Sequence, residues 1–288
     1  MPNPKFHAAE ARKKDVCCTR HYRCRLVRRR LPFRRTGMRT LLALLVAVLT
    51  AQAQAQGCTA RSGERTAVLV ELYTSEGCSS CPPADRWLSS LGRSYRSDQV
   101  VPLALHVDYW DYIGWKDPYA KREFSQRQRR LSQLQRLALV YTPQVLVQGM
   151  DFRAWGGAEF DRAVARINEQ AARAALELEI LGHSTDAVAL RARATVVDPL
   201  QAADAALYVA AYENRLESRV TAGENRGRVL SHDRVVLEWQ GPFGLGDRQL
   251  KLAFLPRAKA ADSGVAAFVQ NRRTAEVLQA LLLAACSP

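Results

Sequence analysis

Two cysteines separated by two serines, Cys78-Ser79-Ser80-Cys81, have the most chemically specific spacing in this 288-residue chain. They follow the run Ala67 to Tyr73, which reads as a buried strand. They precede Ala84, Trp87, Leu88 and Leu91, apolar positions at helical spacing. Pro82 and Pro83 agree with a helix start, because the first N–H groups of a helix have no intrahelical partner. The partial positive charge at such a terminus favours a thiolate and lowers a cysteine pKa from about 8.5 to roughly 3.5–7.5. The spacing therefore predicts thiol–disulfide exchange. Cys78, at the tip, is the expected exposed attacking sulfur, and Cys81, one turn further in, the shielded resolving one. Glu71 in the strand and Asp85, four residues beyond Cys81 on the same helix face, are the candidates to relay the resolving proton. The expected partners are protein or small-molecule thiols and disulfides, and no cofactor is required.

Two other readings of the same residues stand beside this one. In the first, Cys78–Cys81 is a permanent staple in a non-enzymatic binding protein. In the second, Cys78, Cys81 and His106 hold Cu(I), which soft thiolates select, with Met150 a more distant candidate. Zinc would need a second Cys/His pair at ligand spacing, which the sequence lacks.

The elements that must position these residues follow in order. Val100 to Val107 reads as a second strand, ending in the aromatic loop His106-Val107-Asp108-Tyr109-Trp110-Asp111-Tyr112-Ile113-Gly114-Trp115-Lys116-Asp117-Pro118. Tyr109, Trp110 and Trp115 could wall a substrate groove beside the cysteines, with Asp108, Asp111 and Asp117 as polar contacts. Alternatively, the rings fold the loop over the sheet edge. Pro118 to Leu139 reads as an amphipathic helix with a solvated charged face. Pro143 opens the next strand, which calls for a cis Thr142–Pro143 bond or a strand that starts there. Thr142 and Pro143 are then candidates to hold an extended substrate. A short strand is expected over 152–155 and a helix from Ala158 to about Ala175.

Beyond residue 175 the period changes to alternation. Strands are expected over 176–180, 187–193, 205–212, 229–239, 249–255 and 264–270, the pattern of a β-sandwich. Thr221-Ala222-Gly223-Glu224-Asn225-Arg226-Gly227-Arg228 reads either as a plain hairpin end or as a loop that reaches back to the cysteines.

Charge is unevenly distributed. Residues 1–55 carry a net +11 and the rest +3, so nothing in the body points to nucleic acid. Met38-Arg39-Thr40, the run Leu41 to Leu49 and the alternating Ala and Gln that follow predict a signal peptide over 38–55. That run is too short to span a bilayer, and no transmembrane segment is expected in the exported chain. Residues 1–37 read as translation upstream of a start at Met38, the alternative being an arginine-rich RNA-binding arm. Periplasmic or secreted location follows, and the exported chain keeps Cys58, Cys78, Cys81 and Cys286. Cys58 and Cys286, near the two ends, are the expected second disulfide. Lipidation of Cys58 is the competing reading, although Ala55 and Gln56 fit a lipoprotein signal poorly.

The runs 70–85, 106–118, Tyr141-Thr142-Pro143-Gln144 and Gly223-Glu224-Asn225-Arg226-Gly227-Arg228 resemble the secreted bacterial family called domain of unknown function 1223. The resemblance covers nearly all of the expected mature chain. It implies membership of the thioredoxin-like superfamily, with a cis-proline against the redox pair. The fold expected is an α/β thioredoxin-like domain over 62–174 followed by a mostly antiparallel β-sandwich-like domain over 175–288.

Overall fold

A short strand β1 (Thr59–Arg61) leads into β2 (Val68–Thr74), helix α1 (Pro82–Ser94) and β3 (Val100–His106). Helix α2 (Arg122–Leu134), strands β4 (Gln144–Val147) and β5 (Met150–Asp151) and helix α3 (Ala158–Asn168) follow. The rest is largely strand: β6 (Ala174–His183), β7 (Ala187–Val196), β8 (Ala205–Glu213), β9 (Leu216–Arg219) and β10 (Val229–His232). It closes with β11 (Val235–Phe243), β12 (Gly246–Ala253), β13 (Ser263–Asn271) and β14 (Val277–Ala284). The computed structural model describes residues 58–255 and 259–286, all within one compact unit. The expected leader at 38–55 and the segment 1–37 lie outside the described residues.

One eight-stranded sheet dominates, in the order β14-β13-β8-β11-β3-β2-β4-β5. Its central strands β2, β3 and β8 are buried along their whole length. Continuous apolar runs such as Val100–Leu105 mark strands covered on both faces. On one face, α1 and α3 pack Ala84, Leu88, Phe160 and Val164 against Val68, Val70 and Leu72 of β2. Further along that face the antiparallel sheet β1-β6-β7-β12 lays Leu178, Val188 and Leu190 over Leu207, Val209 and Val265. The register Val235↔Ala104 puts both coverings on the same side, since these two residues line the second and first of these cores. Helix α2 covers the opposite face, with Phe124 and Leu131 against Leu69, Tyr73, Leu103 and Tyr208.

This arrangement corrects the expected fold class. The described chain is mostly β, 43% strand against 22% helix, and has no separate α/β thioredoxin-like domain. Strands from both halves join in one sheet through the parallel neighbours β3 and β11, where Ala104 N–H donates to Arg234 O at 2.8 Å. Hydrophobic period reveals that each of these strands is buried but not which edge it pairs with, so the sequence could not show the join.

Local boundaries moved as well. The helix expected over 118–139 spans only Arg122–Leu134, and residues 153–155 form a turn rather than a strand. The run 229–239 is two strands broken at Arg234, whose φ is 59°. Strand β14, absent from the sequence reading, pairs with β13 at the sheet edge.

Candidate functional site: a buried disulfide over an acid and histidine network

Strand β2 ends at Thr74, and Ser75-Glu76-Gly77 turns the chain into Cys78. Pro82 and Pro83 open α1, and Cys81 is its N-cap residue, with no side-chain cap of its own. The Cys81 carbonyl accepts from Ala84 N–H at 2.9 Å and Asp85 N–H at 3.1 Å. Cys78 and Cys81 are joined as a disulfide with a Cα separation of 5.4 Å. Cys78 Sγ lies 3.3 Å from Ser80 Oγ. The exposed tip expected at Cys78 is not there. Cys78 is 1% exposed and Cys81 0%, while Ser79 and Ser80 face solvent.

Two segments cover the pair. The 3₁₀ turn Asp108–Ile113 packs so closely that a Cβ on Gly77 would lie 3.1 Å from Ile113 Cδ1 and 3.2 Å from Trp110 Cβ. The other cover is the loop between β9 and β10, which reaches back to the cysteines. Buried Asn225 donates through Nδ2 to Glu76 O at 2.8 Å and to Cys78 O at 2.9 Å. Its Oδ1 accepts from Arg228 Nη1 at 2.9 Å. Ser79 N–H donates to Glu224 Oε2 at 2.9 Å, and bonds from Ser79 hold the Glu224 carboxyl below its ordinary range.

Beneath the disulfide lies a buried network of acids and histidines. Glu76 N–H donates to Asp117 Oδ2 at 2.8 Å. The Glu76 carboxylate accepts from Trp115 Nε1 at 2.9 Å and meets His232 Nε2 at 3.0 Å. His106 Nδ1 meets Asp117 Oδ2 at 2.7 Å, and the two histidine rings stand edge to face at 4.9 Å. Burial works against charge on both partners. The Asp117 charge nonetheless raises the His106 pKa, and the His106 charge and bond hold the Asp117 carboxyl below its usual range.

Asp85 differs from the rest. Burial pushes its carboxyl above the ordinary range, opposed by His232 and then His106. Its Oδ2 stands 4.0 Å from His232 Nδ1. Thr74 sits beside it, yet neither Thr74 Oγ1 nor Asp85 Oδ1 completes a hydrogen bond of normal geometry, and His106 Nε2 is also without a partner. Asp85 and His232 line a cleft of about 150 Å³ between α1 and β10, together with Pro82, Arg86 and Leu230.

The remaining sequence candidates divide. The Thr142–Pro143 peptide is cis. The pairing Tyr73↔Gln144 brings it alongside the end of β2, and Thr142 Oγ1 accepts from Trp110 Nε1 at 2.7 Å. Trp110 therefore stands between Thr142 and the turn before Cys78. Trp115 joins the network through Glu76, whereas Tyr109 donates to Gln128 Oε1 at 3.1 Å, away from it. Glu71 is on the wrong face. It registers with Leu103 on the α2 side of the sheet and forms a two-point pair with Arg127, at 2.7 and 3.0 Å, so it has no path to Cys81. Cys58 is bonded to Cys286, which leaves no thiol there for a lipid. Among the described residues no group of three or more His, Cys, Asp and Glu has the disposition of a metal site. For the copper reading, the two sulfurs are joined to one another in the disulfide, so neither is a thiolate ligand in this state.

Sequence reasoning missed Glu76 and His232 as partners. Glu76 occupies a turn where polar residues are ordinary, and His232 lies 156 residues further along, among the polar residues Ser231, Asp233 and Arg234. Asn225 belonged to the singled-out Gly-punctuated loop, but no spacing rule ties an asparagine to a distant carbonyl.

A crystal structure of protein AGR_C_4864 from Agrobacterium tumefaciens is 27% identical, with a TM-score of 0.56, covering 79% of this chain and 98% of that one. HBP35 of Porphyromonas gingivalis shares the fold at 18% identity and a TM-score of 0.57, covering 77% of this chain and 76% of that one. No functionally curated protein matches. The model of the protein family of unknown function DUF1223 matches residues 69–270, a span holding the disulfide, both covering segments and the buried network, and the chain belongs to that family.

Proposed function

We propose that Cys78 and Cys81 exchange disulfides with protein or small-molecule thiols outside the cytoplasm. The observation that carries this reading is Asp85. A buried carboxyl with a raised pKa and an unpartnered oxygen, one turn below the second cysteine, is suited to take a proton from a thiol. In the reduced protein the Cys78 thiolate attacks one sulfur of a substrate disulfide. That S–S bond breaks, a mixed disulfide forms, and the departing thiolate takes up a proton. Cys81 then gives its proton to Asp85 and attacks Cys78 Sγ, which restores the internal disulfide and releases the second substrate thiolate. Two electrons pass to the substrate, and the reverse sequence oxidises a dithiol. His232 and the adjoining cleft give the Asp85 proton a route to solvent.

Two disulfides suit an oxidising compartment, which supports a setting outside the cytoplasm. Among the described residues no helix is long and apolar enough to cross a membrane. The burial of both sulfurs favours a second reading, a permanent staple, because exchange requires the 223–228 loop or the 3₁₀ turn to move. Trapping separates the two. Cys81→Ser should accumulate mixed disulfides with proteins from a periplasmic extract, and Cys78→Ser should accumulate none. Absence of adducts in Cys81→Ser, together with no insulin reduction by the wild type, would leave the staple.

A further inference from the structure

Two histidines act on Asp85, and each is tied by one ring nitrogen to a carboxylate of its own. His232 Nε2 meets Glu76 Oε1 at 3.0 Å, and His106 Nδ1 meets Asp117 Oδ2 at 2.7 Å. The carboxylates are themselves fixed. Glu76 accepts from the Trp115 indole at 2.9 Å, and Asp117 accepts from the backbone N–H groups of Glu76 and Tyr119 at 2.8 and 2.9 Å. An imidazole held through one nitrogen has its orientation set and its second nitrogen left for another task.

For His232 that second nitrogen is Nδ1, which stands 4.0 Å from Asp85 Oδ2. For His106 it is Nε2, buried and without a partner. His106 is the register partner of Thr74, the residue beside Asp85, so both side chains leave the sheet on the α1 face. The two histidine rings meet edge to face, and Tyr119 packs against them at 5.4 and 5.8 Å. Arg86, on the cleft wall, is the other charged residue on this side of α1.

We propose that His232 and His106 are positioning residues for the exchange reaction, two rings fixed by Glu76 and Asp117 whose positive charge keeps the Asp85 carboxylate ready for the Cys81 proton. The inference rests on the exchange reading above. Burial pushes the Asp85 carboxyl up, and His232, then His106, are the charges that oppose it. Only a proton passes to Asp85, and the electron pair stays on Cys81 Sγ to form the new S–S bond.

Two measurements against pH test the proposal. Reduced protein is mixed with oxidised glutathione to time resolution of the mixed disulfide, and the Asp85 carboxyl of the disulfide form is titrated by carbon NMR. His232→Gln should raise the Asp85 midpoint, and His106→Gln should raise it less. In His232→Gln, resolution should slow by about tenfold on the acid side, part of what a general base supplies, and rejoin the wild type at alkaline pH. A merely structural role would slow it equally at every pH. In the wild type, with no substitution to disturb folding, the Asp85 signal should carry a second inflection where the imidazoles titrate. Unmoved midpoints in both variants, a pH-independent loss of rate, or a single wild-type inflection would each overturn the inference. Midpoints that move as expected in a protein that exchanges at no pH would overturn the exchange reading and, through it, this role.

Discussion

Two buried ionic clusters lie on opposite faces of the same sheet, and they are built differently. Glu71 and Arg127 satisfy one another at two points, with Tyr73, Gln270 and three aromatic rings completing the enclosure. The cluster under the disulfide is uneven. Glu76 and Asp117 are richly bonded, while Asp85 and His106 each keep an atom without a partner. A pair bonded at two points holds its protons and its shape. A cluster with orphaned lone pairs can accept a proton when a neighbour changes state, and the neighbour that can change covalently here is the Cys78–Cys81 pair. Burial alone therefore does not mark a functional acid. On the proposed exchange reading, incomplete bonding next to the cysteine pair does.

The largest expected effect comes from breaking the satisfied cluster. Arg127→Ala leaves Glu71 buried without a counter-charge and should cost about 3–5 kcal/mol in urea unfolding. Replacing both partners, as Glu71→Leu with Arg127→Met, should recover most of that loss, since an apolar pair leaves no orphaned charge. Recovery with unchanged disulfide exchange would place this cluster outside the chemistry.

The uneven cluster should respond in the opposite sense. Asp85→Asn should slow resolution of a Cys78 mixed disulfide by about 10²-fold, the ordinary scale of a general base. It should also stabilise the protein at neutral pH. The folded chain holds the Asp85 proton more tightly than the unfolded chain, because burial raises its pKa. Stability therefore falls as pH rises from the unfolded carboxylate range through the raised folded value, and levels off above it. The advantage of Asp85→Asn over wild type should be present at pH 7 and vanish below about pH 3.9, the unfolded value. Thermal melts of both proteins across that range check the sign.

A smaller effect is expected at the cover. Asn225→Ala removes the bonds to the Glu76 and Cys78 carbonyls and should speed alkylation of reduced Cys78 by about tenfold, through easier local opening. An unchanged rate would mean that the loop does not control access.

The sequence reading went furthest where local patterns decide structure. Strand β2, the cysteine turn and the start of α1 were legible because a buried run, two prolines and helical spacing all point the same way. The place of Asp85 one turn from Cys81 was legible from its offset, and the cis bond at Pro143 from the family resemblance beside the conflict between a proline and a strand. The rest depended on long-range pairing. That Glu71 faces away from the cysteines follows from its register with Leu103, and the single sheet follows from Val235 beside Ala104. The partnership of Glu76 with His232 depends on how the β9–β10 ribbon folds over α1. Period and propensity are blind to such contacts.

Equilibrating the protein in glutathione redox buffers and measuring the Cys78–Cys81 reduction potential tests the central claim most directly. The exchange account predicts a potential above about −300 mV, within reach of cellular thiols. A potential below about −300 mV would contradict it and make the buried disulfide a permanent staple.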